Sequence, residues 1–240
     1  MSALKIVTER MGQQIQQWET AVDHRAIFLT CYKQMTENML IGLDEGAFQD
    51  AVWVGELLNH FADYYFVALA AYDTASSSTP VIWRQVHDMA RHPETHVLQN
   101  LFLGVNAHIN YDLVLTLVDL LQDGWAQLSP PQRELRYHDY CVVNDIIGRT
   151  IDTVQDEVVE RWSPAMDVVD KTMGRLDEWL VLRLISNWRE HVWQQAVRMM
   201  ELPDEQTTLR QQVEMETRQR ADAVLLKNGW KSLGLLLHEI

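Results

Sequence analysis

Cysteine is scarce in this chain. Only Cys31 and Cys141 occur in 240 residues, and neither sits in a C-x-x-C spacing. Two thiols cannot build a disulfide framework, and without a metal or redox spacing the expectation for each is an inert, buried side chain. Basic residues are also few, 20 Lys+Arg against 34 Asp+Glu, giving a formal net charge of −14. A nucleic-acid surface needs clustered cations to displace phosphate counterions, and no basic patch is visible, so nucleic acid is excluded as a partner. Long apolar runs are missing too. The most apolar stretch, Val114 to Leu121, is eight residues long and contains Asp119, whereas a spanning helix needs about 20 apolar residues. The opening MSALKIVTERMGQQ has no apolar run behind its first charge, unlike a secretory signal. A cytoplasmic protein with no membrane partner is expected. There is no P-loop, no G-x-G-x-x-G, no G-x-S-x-G elbow and no E-x-x-H pair, which argues against nucleotide hydrolysis, serine-hydrolase chemistry and a ferritin-like di-iron site.

What is present reads as helix. Hydrophobic residues make up 47 % and charged residues 22 %, enough apolar surface to bury a full core. All six prolines fall between segments of helical apolar period and none inside one. Proline lacks a backbone donor and clashes with the preceding turn, so these positions mark helix boundaries. The blocks run over residues 4–19, 23–41, 48–72, 81–91, 95–121, 133–161, 164–200 and 204–227, with a polar break at Thr74–Thr79 and with Ser129 and Ser163 placed as N-caps. No run alternates apolar and polar residues, and ten glycines are few for a meander. The spacing predicts an all-α, single-domain helical bundle of about seven to nine helices over residues 1–240, with a polar, solvated C-terminal helix around 204–227.

Polar groups inside otherwise apolar blocks are the candidates for chemistry. In Asn106-Ala107-His108-Ile109-Asn110-Tyr111-Asp112-Leu113, His108 and Asp112 are i and i+4 and project from one helix face, able to share a proton or a metal ion. Asn106 and Asn110 share a second face as candidate substrate contacts. Buried without partners, such groups cost about 1–3 kcal/mol each, so they meet partners or line a cavity. A buried hydrogen-bond network is the alternative to a site. On the segment 59–65, His60 and Asp63 are i and i+3, and Tyr65 follows. With His108 and Asp112 they make a composition suited to zinc, iron or manganese, with Asp145 a further ligand. Arg189 and Trp193 are i and i+4, compatible with cation–π stacking, and Arg189 is placed to stabilise negative charge. His191 beside them is a further ligand candidate. The nine tryptophans, Trp83 and Trp193 among them, fill core or wall an apolar pocket.

Several of these segments also carry family resemblances. NAHINYDL (Asn106 to Leu113), the FADYY segment (Phe61 to Tyr65), the Pro80 to Trp83 step, VND (Val143 to Asp145) and the Arg189/Trp193 helix together resemble the bacterial domain-of-unknown-function family 5995. The resemblance covers most of residues 30–200 and implies an all-α domain. More distantly, the His108/Asp112 pair is similar to the H-x-x-x-D pairs of the zinc-dependent phospholipase C and single-strand nuclease group, without that group's N-terminal tryptophan ligand. Asn144 to Asp152 loosely resembles the magnesium motif N-D-x-x-S-x-x-x-E of class I terpene cyclases, with Gly148 where the hydroxyl ligand belongs and no aspartate-rich partner segment upstream. Two functional expectations follow. One is a metal-assisted enzyme, a hydrolase of a phosphoester or acyl substrate, with His108, Asp112 and Arg189 catalytic, His60, Asp63 and Asp145 completing the metal site, and Asn106, Asn110, Tyr65, Trp83 and Trp193 binding substrate. The other is a metal-free small-molecule site, with His108 and Asp112 as an acid–base pair in a tryptophan-lined apolar pocket. A non-catalytic helical interaction protein is a third reading.

Overall fold

Proline and polar breaks set the ends of the elements in the computed structural model, which describes residues 3–154, 158, 160–162 and 178–226. Eight helices of ten residues or more occur among the described residues: α1 (Ala3–Thr20), α2 (Arg25–Asp44), α3 (Ala51–Asp73), α4 (Val81–Ala90), α5 (Val97–Leu121), α6 (Pro130–Val154), α7 (Glu178–Glu201) and α8 (Gln206–Leu225). No strand occurs among them, so the chain is an all-α helical bundle. The part of the expected 164–200 helix before Glu178, and the Ser163 cap, lie outside the described residues.

Local chemistry accounts for the helix starts. The Asp50 side chain accepts from the Trp53 N–H and caps α3, and Pro130 occupies the first turn of α6, where its missing N–H has no helical partner to lose. Ser129 and the Gln132 side chain satisfy each other at the same end. The apolar phase then sets the packing. In α1 the buried positions Leu4, Thr8, Met11, Ile15 and Trp18 repeat every three or four residues, forming one stripe that lies on α2.

Helix α5 is the axis of the bundle. Buried residues occupy nearly all of its circumference, and it contacts α2, α3, α4, α7 and α8. By length and composition it could cross a membrane, yet 83 % of its most apolar window is buried against the other helices. A helix that is apolar all round belongs in the centre of a bundle of this size. The polar α8 docks through a narrow stripe, Leu209, Val213, Thr217, Ala221 and Val224, against α5 and α7.

Candidate functional site

The NAHINYDL segment does not continue α5 as a regular α-helix. Over His108–Asp112 the turn widens to a π-helical one, and the Leu113 N–H reaches back five residues to the His108 carbonyl. Such single wide turns interrupt α-helices at functional sites more often than elsewhere. Polar side chains leave this turn on two faces. On one, Asn106 Nδ2 donates to the Thr217 carbonyl of α8 at 2.9 Å, Asn110 Nδ2 donates to Asn106 Oδ1 at 3.0 Å, and Thr217 Oγ1 donates to the Asn110 carbonyl at 3.2 Å. The asparagine pair therefore fastens α8 to the wide turn.

On the other face, His108 Nδ1 and Asp112 Oδ2 lie 2.9 Å apart. Trp83 of α4 donates its indole N–H to both Asp112 oxygens, at 3.0 Å each. The three side chains are buried, with His108 3 % and Asp112 1 % exposed. Burial pushes the Asp112 carboxyl well above its usual range, against the opposing pull of the Trp83 hydrogen bond. Burial pushes the His108 imidazole well below its usual value. Both shifts favour an uncharged pair, in which the carboxyl proton faces Nδ1 and the ring carries its own hydrogen on Nε2. That Nε2 is buried and meets no hydrogen-bond partner among the described residues. Around the imidazole the ring of Phe61 stacks at 3.5 Å between centroids and 10° between planes, and Tyr32 approaches edge-on at 4.2 Å.

His108 lines a cavity of about 110 Å³ whose walls include Phe28, Tyr32, Phe61, Met39, Leu113 and Ile147. A second apolar space of about 70 Å³ adjoins it and shares Cys31, Met35, Val105, Ile147 and Ile185 as walls. Burial pushes the Cys31 thiol up to about 12, so it serves as wall and not as nucleophile. Among the described residues no tryptophan lines either space. The expected tryptophan walls are instead phenylalanine, tyrosine and aliphatic residues, because the indoles are engaged elsewhere: Trp83 with Asp112, and Trp193 among Trp125, Tyr137 and Tyr140.

Arg189 of α7 also lines the larger space and is only 5 % exposed. Its Nε donates to Asn144 Oδ1 at 2.8 Å and one Nη2 hydrogen to the Tyr140 carbonyl at 2.7 Å, while the Tyr140 hydroxyl donates to the Arg189 carbonyl at 2.6 Å. Its guanidinium lies 4.2 Å from the Tyr140 ring centroid. The aromatic partner is thus Tyr140 on α6, not the Trp193 that the i,i+4 spacing suggested.

The structure brings His108, Asp112 and Trp83 together and places Arg189 on the same cavity. Tyr65 is buried beside them, 5.1 Å from the Trp83 ring. His60, Asp63 and Asp145 are exposed on the outer faces of α3 and α6, away from the buried pair. No group of three or more His, Cys, Asp or Glu side chains able to hold a metal ion occurs among the described residues. His108 and Asp112 alone offer two donors, and one of these is spent on the other, so the residues present do not fit the expected divalent-metal set. His191 pairs with Glu216 of α8 at 3.1 Å, and the Asp152 side chain lies outside the described residues. Sequence reasoning missed Phe28, Tyr32 and Phe61 as walls. The signal was there in the i,i+4 aromatics of α2 and in Phe61 beside His60.

No curated protein and no solved structure matches the chain. The family described as "Family of unknown function (DUF5995)" matches over residues 4–227, a span that holds the wide turn, Trp83, the cavity walls and Arg189. The resemblance carried by NAHINYDL thus extends over nearly the whole chain, which belongs to this family.

Proposed function

We propose that the protein binds a small apolar molecule in the cavity beside His108, and that the His108–Asp112 pair is the acid–base group facing it. One observation carries this reading: a fully buried imidazole with an unpartnered Nε2, oriented through Asp112 by Trp83, in the wall of an apolar cavity. An unsatisfied buried polar group costs about 1–3 kcal/mol; the buried His87 Nε2 also lacks a partner among the described residues, but of the two histidines only His108 lines this cavity. Here the second nitrogen is left for a ligand atom. With Asp112 fixing the far nitrogen, Nε2 can give a proton to a bound acceptor while Nδ1 recovers one from the carboxyl, the division of labour of an oriented acid–base histidine. The cavity is comparable with an engineered apolar cavity of about 150 Å³ that admits benzene.

A thermal-denaturation series with benzene and short n-alkanols tests this. Ligand at ten times its Kd adds about 1.4 kcal/mol to stability, which for a chain of this length raises Tm by about 3–6 °C. Ile147→Phe, which fills both spaces, is expected to abolish the shift while the protein still folds. If saturating apolar probes leave the Tm of the parent protein unchanged, the space does not act as a binding site.

A further inference from the structure

Arg189 is a charge taken out of water with no opposite charge beside it among the described residues. Its neighbours are an amide oxygen, a backbone carbonyl and a tyrosine ring. Among the described residues no carboxylate pairs with it. The groups that act on its charge are Tyr140 and Cys141, and burial works against the charged form. A guanidinium offers five N–H donors, and only Nε and one Nη2 hydrogen are used, leaving Nη1 without a hydrogen bond among the described residues. A buried cation costs several kcal/mol after relaxation unless an anion repays the lost hydration. The fold keeps this one in the wall of an apolar cavity, where it is the only charged side chain among the described lining residues.

Resting on the cavity reading above, we infer that the ligand is an amphipathic monoanion: a carboxylate that pairs with Arg189, carrying an apolar chain of about six carbons that fills the two adjoining spaces. One unpaired cation calls for one negative charge, since a dianion would leave a buried charge of its own. A planar carboxylate matches the free edge of a guanidinium that already uses Nε and part of Nη2. The two adjoining spaces, about 110 and 70 Å³, suit a short chain or a single ring and are too small for a long acyl chain. The wider protein, at −14, repels anions at long range. That repulsion is screened beyond about 8–10 Å at physiological salt, while Arg189, only 5 % exposed, would meet the anion at direct contact. Affinity for the anion is therefore local and survives salt.

Isothermal titration of the full chain with hexanoate, hexanol and hexylamine decides the matter without a mutation. Hexanoate is expected to bind at least tenfold more tightly than hexanol, with hexylamine weakest. Arg189→Met should cost hexanoate at least tenfold and leave hexanol within about twofold, and Arg189→Lys should keep the order of preference. Loss of packing alone would weaken all three probes together. If hexanol binds the parent protein as tightly as hexanoate, the anion inference falls while the cavity reading stands. If neither these probes nor benzene binds, both fall. Should Arg189→Met fail to fold, the ranking in the parent protein and in Arg189→Lys still decides.

Discussion

Replacing Asp112 with asparagine tests whether the buried pair is uncharged. Asparagine reproduces the protonated carboxyl: its Oδ1 accepts from Trp83 Nε1, as the carboxyl does at 3.0 Å, and its Nδ2 donates to His108 Nδ1 across the 2.9 Å gap. The variant therefore keeps its hydrogen bonds and loses one titrating proton. In the unfolded chain Asp112 releases that proton near 3.8, and in the folded chain burial holds it well above that value. An acid whose folded pKa is raised leaves the native state with more bound protons than the unfolded one. Stability from this group is thus lost as pH rises from the unfolded pKa to the folded one. Parent minus variant stability should fall by about 1.4 kcal/mol for each pH unit above 4 and level off where the folded pair itself titrates. For a chain of this length that is about 3–6 °C in Tm per pH unit. Groups common to both proteins cancel in the difference, including His87, which burial lowers to about 3. Denaturant melts of both proteins at half-unit steps from pH 4.5 to 8 supply the curve. A difference that stays flat across that range would mean Asp112 is ionised in the folded protein, and the uncharged acid–base pair would have to be abandoned.

Three further substitutions check the frame that holds the site. A Cβ on Gly104 would overlap the Phe28 side chain, 2.7 Å from its Cβ. Gly104→Ala should therefore destabilise by about 1–3 kcal/mol through overpacking, against the gain of about 1 kcal/mol alanine brings to a helix, and should weaken apolar-probe binding by pushing Phe28 into the cavity. A stabilised variant would show that α2 and α5 give way freely. The fully buried Asp139 accepts the Gln49 and Asp50 N–H groups at 2.9 and 2.7 Å and so holds the entry to α3. Asp139→Ala orphans both donors, and equilibrium unfolding should show a loss of about 2–4 kcal/mol; a change under 1 kcal/mol would mean water replaces the carboxylate. Thr217→Val keeps the shape of the side chain and removes its bond to the Asn110 carbonyl. About 1 kcal/mol should be lost, and limited proteolysis should open α8 sooner than the rest.

What the sequence revealed follows the range of each interaction. The His108–Asp112 bond was legible because it spans four residues of one helix, and spacing alone fixes such a contact. The proline boundaries and the α1 stripe were legible for the same reason. Trp83 to Asp112 spans 29 residues and Arg189 to Asn144 spans 45, and only the fold joins them. His60 and Asp63 were misplaced by a different fault. They sit in an apolar helix at a ligand-like spacing, but Val52, Glu56, His60, Asp63 and Val67 together form the exposed stripe of α3, opposite buried Trp53, Leu57, Ala62, Tyr65 and Leu69. Reading the phase of the apolar residues, and not only the distance between the polar ones, would have put both on the solvent side. In α6 the same phase puts Asp145 outside, between buried Val143 and Ile146.

The four polar residues of the wide turn looked like one cluster, and the structure divides them by the helix each pair faces. Asn106 and Asn110 turn to α8, the most polar of the packed helices, and are fully spent on backbone and on each other except for Asn110 Oδ1. His108 and Asp112 turn to α4 and the cavity, and retain a ring nitrogen with no partner among the described residues. A polar group whose bonds are complete within the fold adds rigidity, whereas one left open inside an apolar space is costly unless something enters to complete it. The asparagine face thus explains how an interrupted helix stays ordered at the centre of the bundle. Holding the turn in place from the α8 side leaves on one cavity an imidazole nitrogen with no partner and a cation, Arg189, with no carboxylate beside it among the described residues. The ligand inferred above, with an apolar body and a single anionic end, would complement both at once.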